Sequence, residues 1–160
     1  MRHYMLGLLL LTLCGCAANQ LDCLSSGDQA SHQQVPDPAC AASIEGKCFS
    51  LDVPAGSKVD LGPYAYQMQQ VVQSNWQVPE ASMVLRYKGW VELCFNIQRD
   101  GTITDIGIAH YSGCSGYGAA AIKALRASSR ALPLPPEFTA SQLRGHFRFF
   151  YNMPGEQCGA

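Results

Sequence analysis

The chain has 160 residues, a formal net charge of −1 and eight cysteines. This length suits one modest domain with an additional segment. The nearly balanced charge, with no basic stripe, argues against a nucleic-acid partner.

The first fifteen residues are typical of an export signal. Arg2 and His3 precede an almost wholly apolar run from Tyr4 to Leu13. That run is shorter than the roughly 20 residues that span a bilayer, but it has the length of a signal-peptide core. We therefore expect residues 1–15 to be a signal peptide and no other segment to span a membrane.

The end of this run resembles the lipobox of bacterial lipoproteins. Leu13-Cys14-Gly15-Cys16 has a leucine, a small residue and the obligatory cysteine at the spacing of that signal. The resemblance implies that Cys16 becomes the N-terminus and carries a diacylglycerol and a palmitate-type acyl chain. Ala17 then favours the periplasmic face of the outer membrane. Cleavage after Ala18 by an ordinary signal is the alternative.

Residues 16–62 are predicted to form an arm rich in Ser, Gln, Asp, Gly and Pro. Within it, Phe49, Leu51 and Val53 alternate with polar residues, which predicts a short strand. If Cys16 carries lipid, an even number of cysteines remains, and this favours disulfides of open connectivity in an oxidising compartment. The candidates are Cys23, Cys40, Cys48, Cys94, Cys114 and Cys158.

A metal site is a weak alternative for these cysteines. The sequence has no C-x-x-C pair, and His32, His110 and His146 are scattered. We therefore expect no metal and no cofactor.

From Tyr64 onward the sequence predicts a helix. Apolar residues recur at helical spacing after Gly62-Pro63 and before Pro79, with Trp76 as the expected core anchor. This apolar stripe comprises Tyr64, Met68, Val71, Val72 and Trp76.

Two strands and their connecting turn follow. Apolar residues alternate from Val91 to Ile97, which predicts a strand whose Glu92 and Asn96 face solvent. Asp100-Gly101 predicts a hairpin turn. The apolar parity changes between Ile103 and Ile106, which predicts a β-bulge near Thr104-Asp105.

A second helix and a third strand complete the predicted domain. The helix follows from the stripe Tyr117, Ala120, Ala121, Ala124 and Leu125, and the strand from alternation over Leu143 to Tyr151. The order α-β-β-α-β predicts an α+β fold, with a three-stranded antiparallel sheet and two helices on one face. The domain is expected over residues 63–153, and residues 154–160 form a C-terminal tail.

In this order, the motifs resemble the C-terminal domain of the TonB/TolA family. The resemblance covers residues 64–152, and its matching features are Tyr64, Val72, Asn75-Trp76, Pro79, Gly89, Val91, Phe95-Asn96-Ile97, Asp100-Gly101, Ile103, Asp105-Ile106, Ile108, Ser112-Gly113, Ala119-Ala120-Ala121, Pro133, Pro135-Pro136, Phe147, Phe149 and Tyr151. It implies a non-catalytic periplasmic module that binds an envelope protein by strand addition at residues 144–151, with a link to TonB-type transmembrane transport. Arg144, His146, Arg148 and Phe150 would flank the added strand and bind the partner.

The sequence also departs from that family. It has no inner-membrane helix or long linker that would receive force from a motor complex. Cys94 points away from the predicted core, which favours pairing with a cysteine of the arm. The strand Phe49–Val53 could instead dock on the edge of the third strand, with Cys158 as a clamp. The protein would then be a structural subunit of an envelope secretion or pilus machine with a capped edge.

A catalytic function is the third hypothesis. Gly113-Cys114-Ser115-Gly116 faintly resembles a nucleophile elbow, with Asp105 and His110 nearby in sequence. The fifth position is Tyr117 rather than glycine, and the segment leaves a hairpin. A turn with Ser115 as helix cap is the simpler interpretation, so we expect no enzyme activity and no small-molecule substrate.

Overall fold

The fold was analysed in a computed structural model that describes residues 40, 48–114 and 116–153. The predicted signal peptide, Cys16, Cys23, His32, Ser115, Cys158 and the C-terminal tail lie outside the described residues. The described elements are β1 (Phe49–Leu51), α1 (Gly62–Asn75), α2 (Glu80–Leu85), β2 (Gly89–Gln98), β3 (Ile103–Ser112), α3 (Gly116–Ala127) and β4 (Gln142–Tyr151).

One antiparallel sheet organises the described residues, and it has four strands in the order β1-β4-β2-β3. The prediction of three strands was therefore wrong. The additional strand, β1, comes from the predicted arm and pairs with β4. A short helix, α2, was also not predicted, so the described residues contain three helices. The α+β class itself is confirmed.

Apolar side chains that alternate with polar ones along β2 and β4 form one layer of the core. Val91, Leu93, Phe95 and Ile97 of β2 are fully buried, and so are Phe147, Phe149 and Tyr151 of β4 within a few per cent. We call this side of the sheet the helix face, because α1 and α3 pack on it. Buried helix residues meet it at Tyr64, Met68, Val72, Tyr117, Ala121, Ala124 and Leu125.

The β2–β3 hairpin has the predicted turn and bulge. Gly101 has φ +80°, and a Cβ at this position would lie 2.7 Å from the carbonyl oxygen of Leu132, so glycine is required. Asp105 is left-handed, with φ +51°. The register between β2 and β3 shifts opposite it, between Cys94 and Asn96, which confirms the bulge. A second shift between Glu92 and Leu93 was not predicted.

Candidate partner-binding edge

The outer side of β4, which the sequence predicts as a partner-binding edge, is paired with β1. Phe49 lies opposite Phe147, and Leu51 lies opposite Gly145. Two further main-chain hydrogen bonds flank this pairing. Asp52 N donates to Arg144 O at 2.9 Å, and Arg148 N donates to Cys48 O at 2.7 Å. The chain's own strand therefore covers β4 from residue 144 to residue 148.

Side chains of β1 fix it in this position. The Phe49 ring contacts the rings of Phe147 and Phe95, with centroid distances of 5.5 and 6.5 Å. Gly145 makes room for this packing, because a Cβ there would lie 3.0 Å from the Phe95 ring and 3.5 Å from a Leu51 methyl group. β1 thus joins the helix-face core as well as the hydrogen-bond ladder.

Arg144 and His146, two of the predicted partner-binding residues, point to the opposite face of the sheet. His146 is 1% exposed, with its Nε2 3.4 Å from Asp52 Oδ2 and its Nδ1 3.9 Å from Glu92 Oε1. Arg144 is half-buried, and its Nη2 lies 3.8 Å from the Cys94 sulfur. Neither side chain is presented at an open edge while β1 is in place.

Arg148 belongs to a buried ion pair. Its Nη2 and Nε lie 2.6 and 3.1 Å from Glu92 Oε2, and its guanidinium carbon lies 4.9 Å from the centroid of the Trp90 ring. Glu92 is fully buried and Arg148 is 15% exposed, so two opposite charges neutralise each other with little water present. Phe150, the fourth predicted residue, is half-buried just beyond the segment that β1 covers.

A disulfide adds to this second face of the sheet. Cys40 and Cys94 are joined, with their Cα atoms 5.7 Å apart, and both pack with Ala109 in a small buried cluster. Cys48 and Cys114 are half-cystines as well. We call this side of the sheet the polar face, defined by Glu92, Cys94, His146 and Arg148. The prediction that Glu92 faces solvent was wrong.

The ion pair could have been found from sequence alone. Glu92 and Arg148 lie on the same face by alternation, and an antiparallel pairing of the two strands brings opposite charges into register; the structure has Glu92 opposite Arg148. What alternation does not reveal is that the face is covered. A charged strand residue is usually solvated, whereas Glu92 is fully buried in the fold.

A protein-family model matches most of the described domain, without β1 and the end of β4. The family model described as TonB C terminal matches residues 61–149, more than half of the chain. The chain belongs to the TonB C-terminal family. TonB C-terminal domains are non-catalytic interaction modules of the periplasm.

Two solved structures are similar to this TonB C-terminal domain, both solution structures of the Helicobacter pylori TonB C-terminal domain. The longer fragment has 20% identity and a TM-score of 0.49, covering 57% of this chain and 81% of that chain. The shorter fragment has 21% identity and a TM-score of 0.45, covering 54% and 89%. No curated protein matches the chain.

The residues of the catalytic hypothesis have other contacts in this TonB C-terminal domain. Cys114 is a half-cystine, and the His110 ring lies 6.3 Å from the Trp90 ring. Hydrogen bonds from Asn96 and then Thr104 hold the pKa of the exposed Asp105 carboxyl below its usual range. The contacts of His110 and Asp105 are therefore made within the β2–β3 hairpin.

The described residues contain neither a cluster of metal ligands nor a helix that could cross a membrane. Across residues 48–114 and 116–153, no three His, Cys, Asp or Glu side chains are grouped as ligands for a metal ion. None of the helices described there has both the length and the apolar character needed to cross a bilayer.

Proposed function

We propose that this protein is a non-catalytic structural module of a bacterial envelope assembly, with the edge of its TonB-type sheet closed by its own β1. The observation that carries the proposal is the pairing of β1 with β4 over residues 144–148. Family membership supports a periplasmic interaction role. The resemblance of Leu13–Cys16 to a lipobox supports a lipid anchor at Cys16 on the outer membrane.

A closed edge makes strand addition by a partner costly. Because β1 belongs to the same chain, it competes with any incoming peptide at an effective concentration on the order of millimolar. The partner must also replace the Phe49 ring against Phe95 and Phe147. Cys48, directly before β1, is a half-cystine. Contacts to the assembly are therefore made by surfaces other than the covered edge.

Strand exchange at β4 is the second candidate function. Two features favour it: β1 has only three residues, and it leaves the outer side of β4 beyond Arg148 without a partner strand among the described residues. A longer peptide could bond at Phe150 first and then displace β1. Arg144, His146, Arg148 and Phe150 would flank such a peptide, as the family resemblance implies.

One substitution separates the two candidates. Ser50 faces His146 between the two flanking bonds, where antiparallel strands exchange both main-chain bonds. Ser50→Pro removes the donor and weakens β1, whereas Ser50→Ala retains the amide and serves as control. The measurement is the amount of envelope protein recovered with the chain after crosslinking in cells. A closed structural module predicts unchanged recovery for Ser50→Pro, because its contacts lie on other surfaces, and strand exchange predicts more.

The lipid anchor is tested separately by Cys16→Ser. The anchored form sediments with outer membranes, and the variant is expected in the soluble periplasmic fraction. If both forms sediment equally while the wild-type N-terminus carries no lipid mass, the anchor is wrong and the β1 argument is unaffected.

A further inference from the structure

Apolar side chains are exposed together at one tip of the molecule. In the described part of the chain, six large hydrophobic side chains are exposed, and four of them lie within five consecutive residues. Met83 is 56% exposed, Val84 72%, Leu85 41% and Tyr87 38%. We call the segment from Met83 to Lys88 the apolar tip. Clustering of this kind marks an interaction surface, whereas single exposed hydrophobic residues do not.

Hydrogen bonds from the body of the domain clamp both ends of the tip. Asn152 Nδ2 donates to the carbonyl oxygens of Ser82 and Tyr87, each at 2.8 Å. The Tyr117 hydroxyl donates to Tyr87 O at 2.7 Å and lies 2.9 Å from the Ser82 hydroxyl. Ser82 is fully buried. The hydrogen bonds from Asn152 and Tyr117 thus fix the backbone that carries the exposed apolar side chains.

Backbone geometry keeps the tip short. Helix α2 ends after one and a half turns at Arg86, which is left-handed with φ +53°. The chain then reverses through Tyr87 and Lys88 into β2. The four exposed apolar side chains therefore lie together on one short turn between α2 and β2.

The charges of the tip indicate what that surface is. Arg86 and Lys88 are exposed among the apolar residues, although the whole chain has a formal net charge of −1. Glu80, at the start of α2, is the nearest acidic residue in sequence. Apolar side chains, a tyrosine and flanking cations are the combination that inserts into the interface of an anionic bilayer. An anionic surface is attracted to Arg86 and Lys88 of the apolar tip and repelled by the net negative charge of the rest of the chain.

We propose that the apolar tip inserts into an anionic phospholipid surface, with Met83, Val84 and Leu85 entering the interface and Arg86 and Lys88 contacting phosphate groups. The tip would then fix the orientation of the domain against the membrane. Its attraction to anionic lipid does not depend on acylation of Cys16, so the two proposals fail separately.

The experiment places an environment-sensitive fluorescent amino acid at Val84 in the full chain. A matched probe at Tyr66, which is 60% exposed on α1, is the control. The chain is bound to vesicles of phosphatidylcholine with phosphatidylglycerol, or of phosphatidylcholine alone, that contain a spin-labelled lipid quencher. We expect quenching at position 84 and not at position 66, only in the vesicles with phosphatidylglycerol.

Charge reversal tests the role assigned to the cations. Arg86→Glu/Lys88→Glu is expected to abolish quenching at position 84, and high salt is expected to weaken it. Equal quenching at both positions, or none at position 84, would overturn the proposal. So would a photocrosslinker at Val84 that forms protein adducts in cells and no lipid adducts. The mass of the Cys16 peptide, measured on the same samples, reports the lipid anchor independently.

Discussion

The two faces of the sheet are both shielded from water, and their interiors differ in chemistry. On the helix face, Val91, Leu93 and Phe95 pack against apolar helix residues. On the polar face, Glu92 and Cys94, which alternate with them along the same strand, are equally buried but meet Arg148 and Cys40. One strand therefore enters two interiors that are stabilised by different forces.

Because of this difference, the two faces are expected to lose stability in response to different changes. Hydrophobic burial is non-directional, so the helix face tolerates small shifts of its side chains. The polar face depends on charges that must stay paired and on a covalent bond that needs an oxidising environment. We expect the polar face to be more sensitive to single changes of charge and to reduction.

The largest expected effect comes from breaking the buried ion pair. Glu92→Leu leaves Arg148 buried without its carboxylate, which is expected to lower the free energy of unfolding by about 3–5 kcal/mol. The double variant Glu92→Leu/Arg148→Met removes both charges and is expected to be more stable than the single variant. Urea denaturation measures both.

An exposed ion pair provides the control for this prediction. Arg130 and Asp100 lie 3.6 Å apart with side chains 73% and 57% exposed. Asp100→Asn is expected to change the free energy of unfolding far less than Glu92→Leu, because water screens an exposed pair. If Glu92→Leu costs no more than Asp100→Asn, the polar face is not the dry interior described above.

Removal of the disulfide is expected to have the next largest effect. Cys40 and Cys94 are separated by 54 residues, and closing a loop of that order stabilises a fold by about 2–4 kcal/mol. The double variant Cys40→Ser/Cys94→Ser should therefore lower the denaturation midpoint under oxidising conditions. A midpoint equal to that of the wild type would show that the disulfide does not constrain the polar face.

Elements with a regular apolar period were predictable, whereas the distant pairing of the arm strand was predicted only as one of two alternatives. The period of α1, β2 and β4 is visible in residues such as Met68, Leu93 and Phe149, each of which is buried. The strand at Phe49 was predicted within the arm, and its docking on the third predicted strand, which was the alternative to a free edge, is confirmed.

The strand that carries the candidate site was predicted, but the covering of its edge and the burial of its side chains were not settled by the sequence. Strand β4 was identified, but the burial of His146 depends on how the rest of the chain packs over it. The apolar tip was missed because an apolar stretch such as Met83–Leu85 normally indicates core, and only the fold reveals that its side chains are exposed.

The smallest expected effect concerns the helix face and the ionisation of the Tyr151 hydroxyl. Burial raises the pKa of the Tyr151 hydroxyl, which donates to Tyr117 O at 2.9 Å and accepts from Trp76 Nε1 at 3.3 Å. A raised pKa means that the folded state keeps its proton when the unfolded state loses it. The resulting stability is therefore fully present below about pH 10, the ordinary tyrosine pKa, and is lost as the pH rises further.

Tyr151→Phe tests this directly. At pH 8 the variant is expected to be less stable by about 1 kcal/mol, because it lacks both hydrogen bonds. Above pH 10 the wild type loses about 1.4 kcal/mol per pH unit at this residue, and the phenylalanine does not. The difference in the free energy of unfolding between the two proteins should therefore close or reverse by pH 11. A difference that stays constant from pH 8 to pH 11 would mean that the Tyr151 hydroxyl ionises as readily in the folded chain as in water, and that its burial does not raise its pKa.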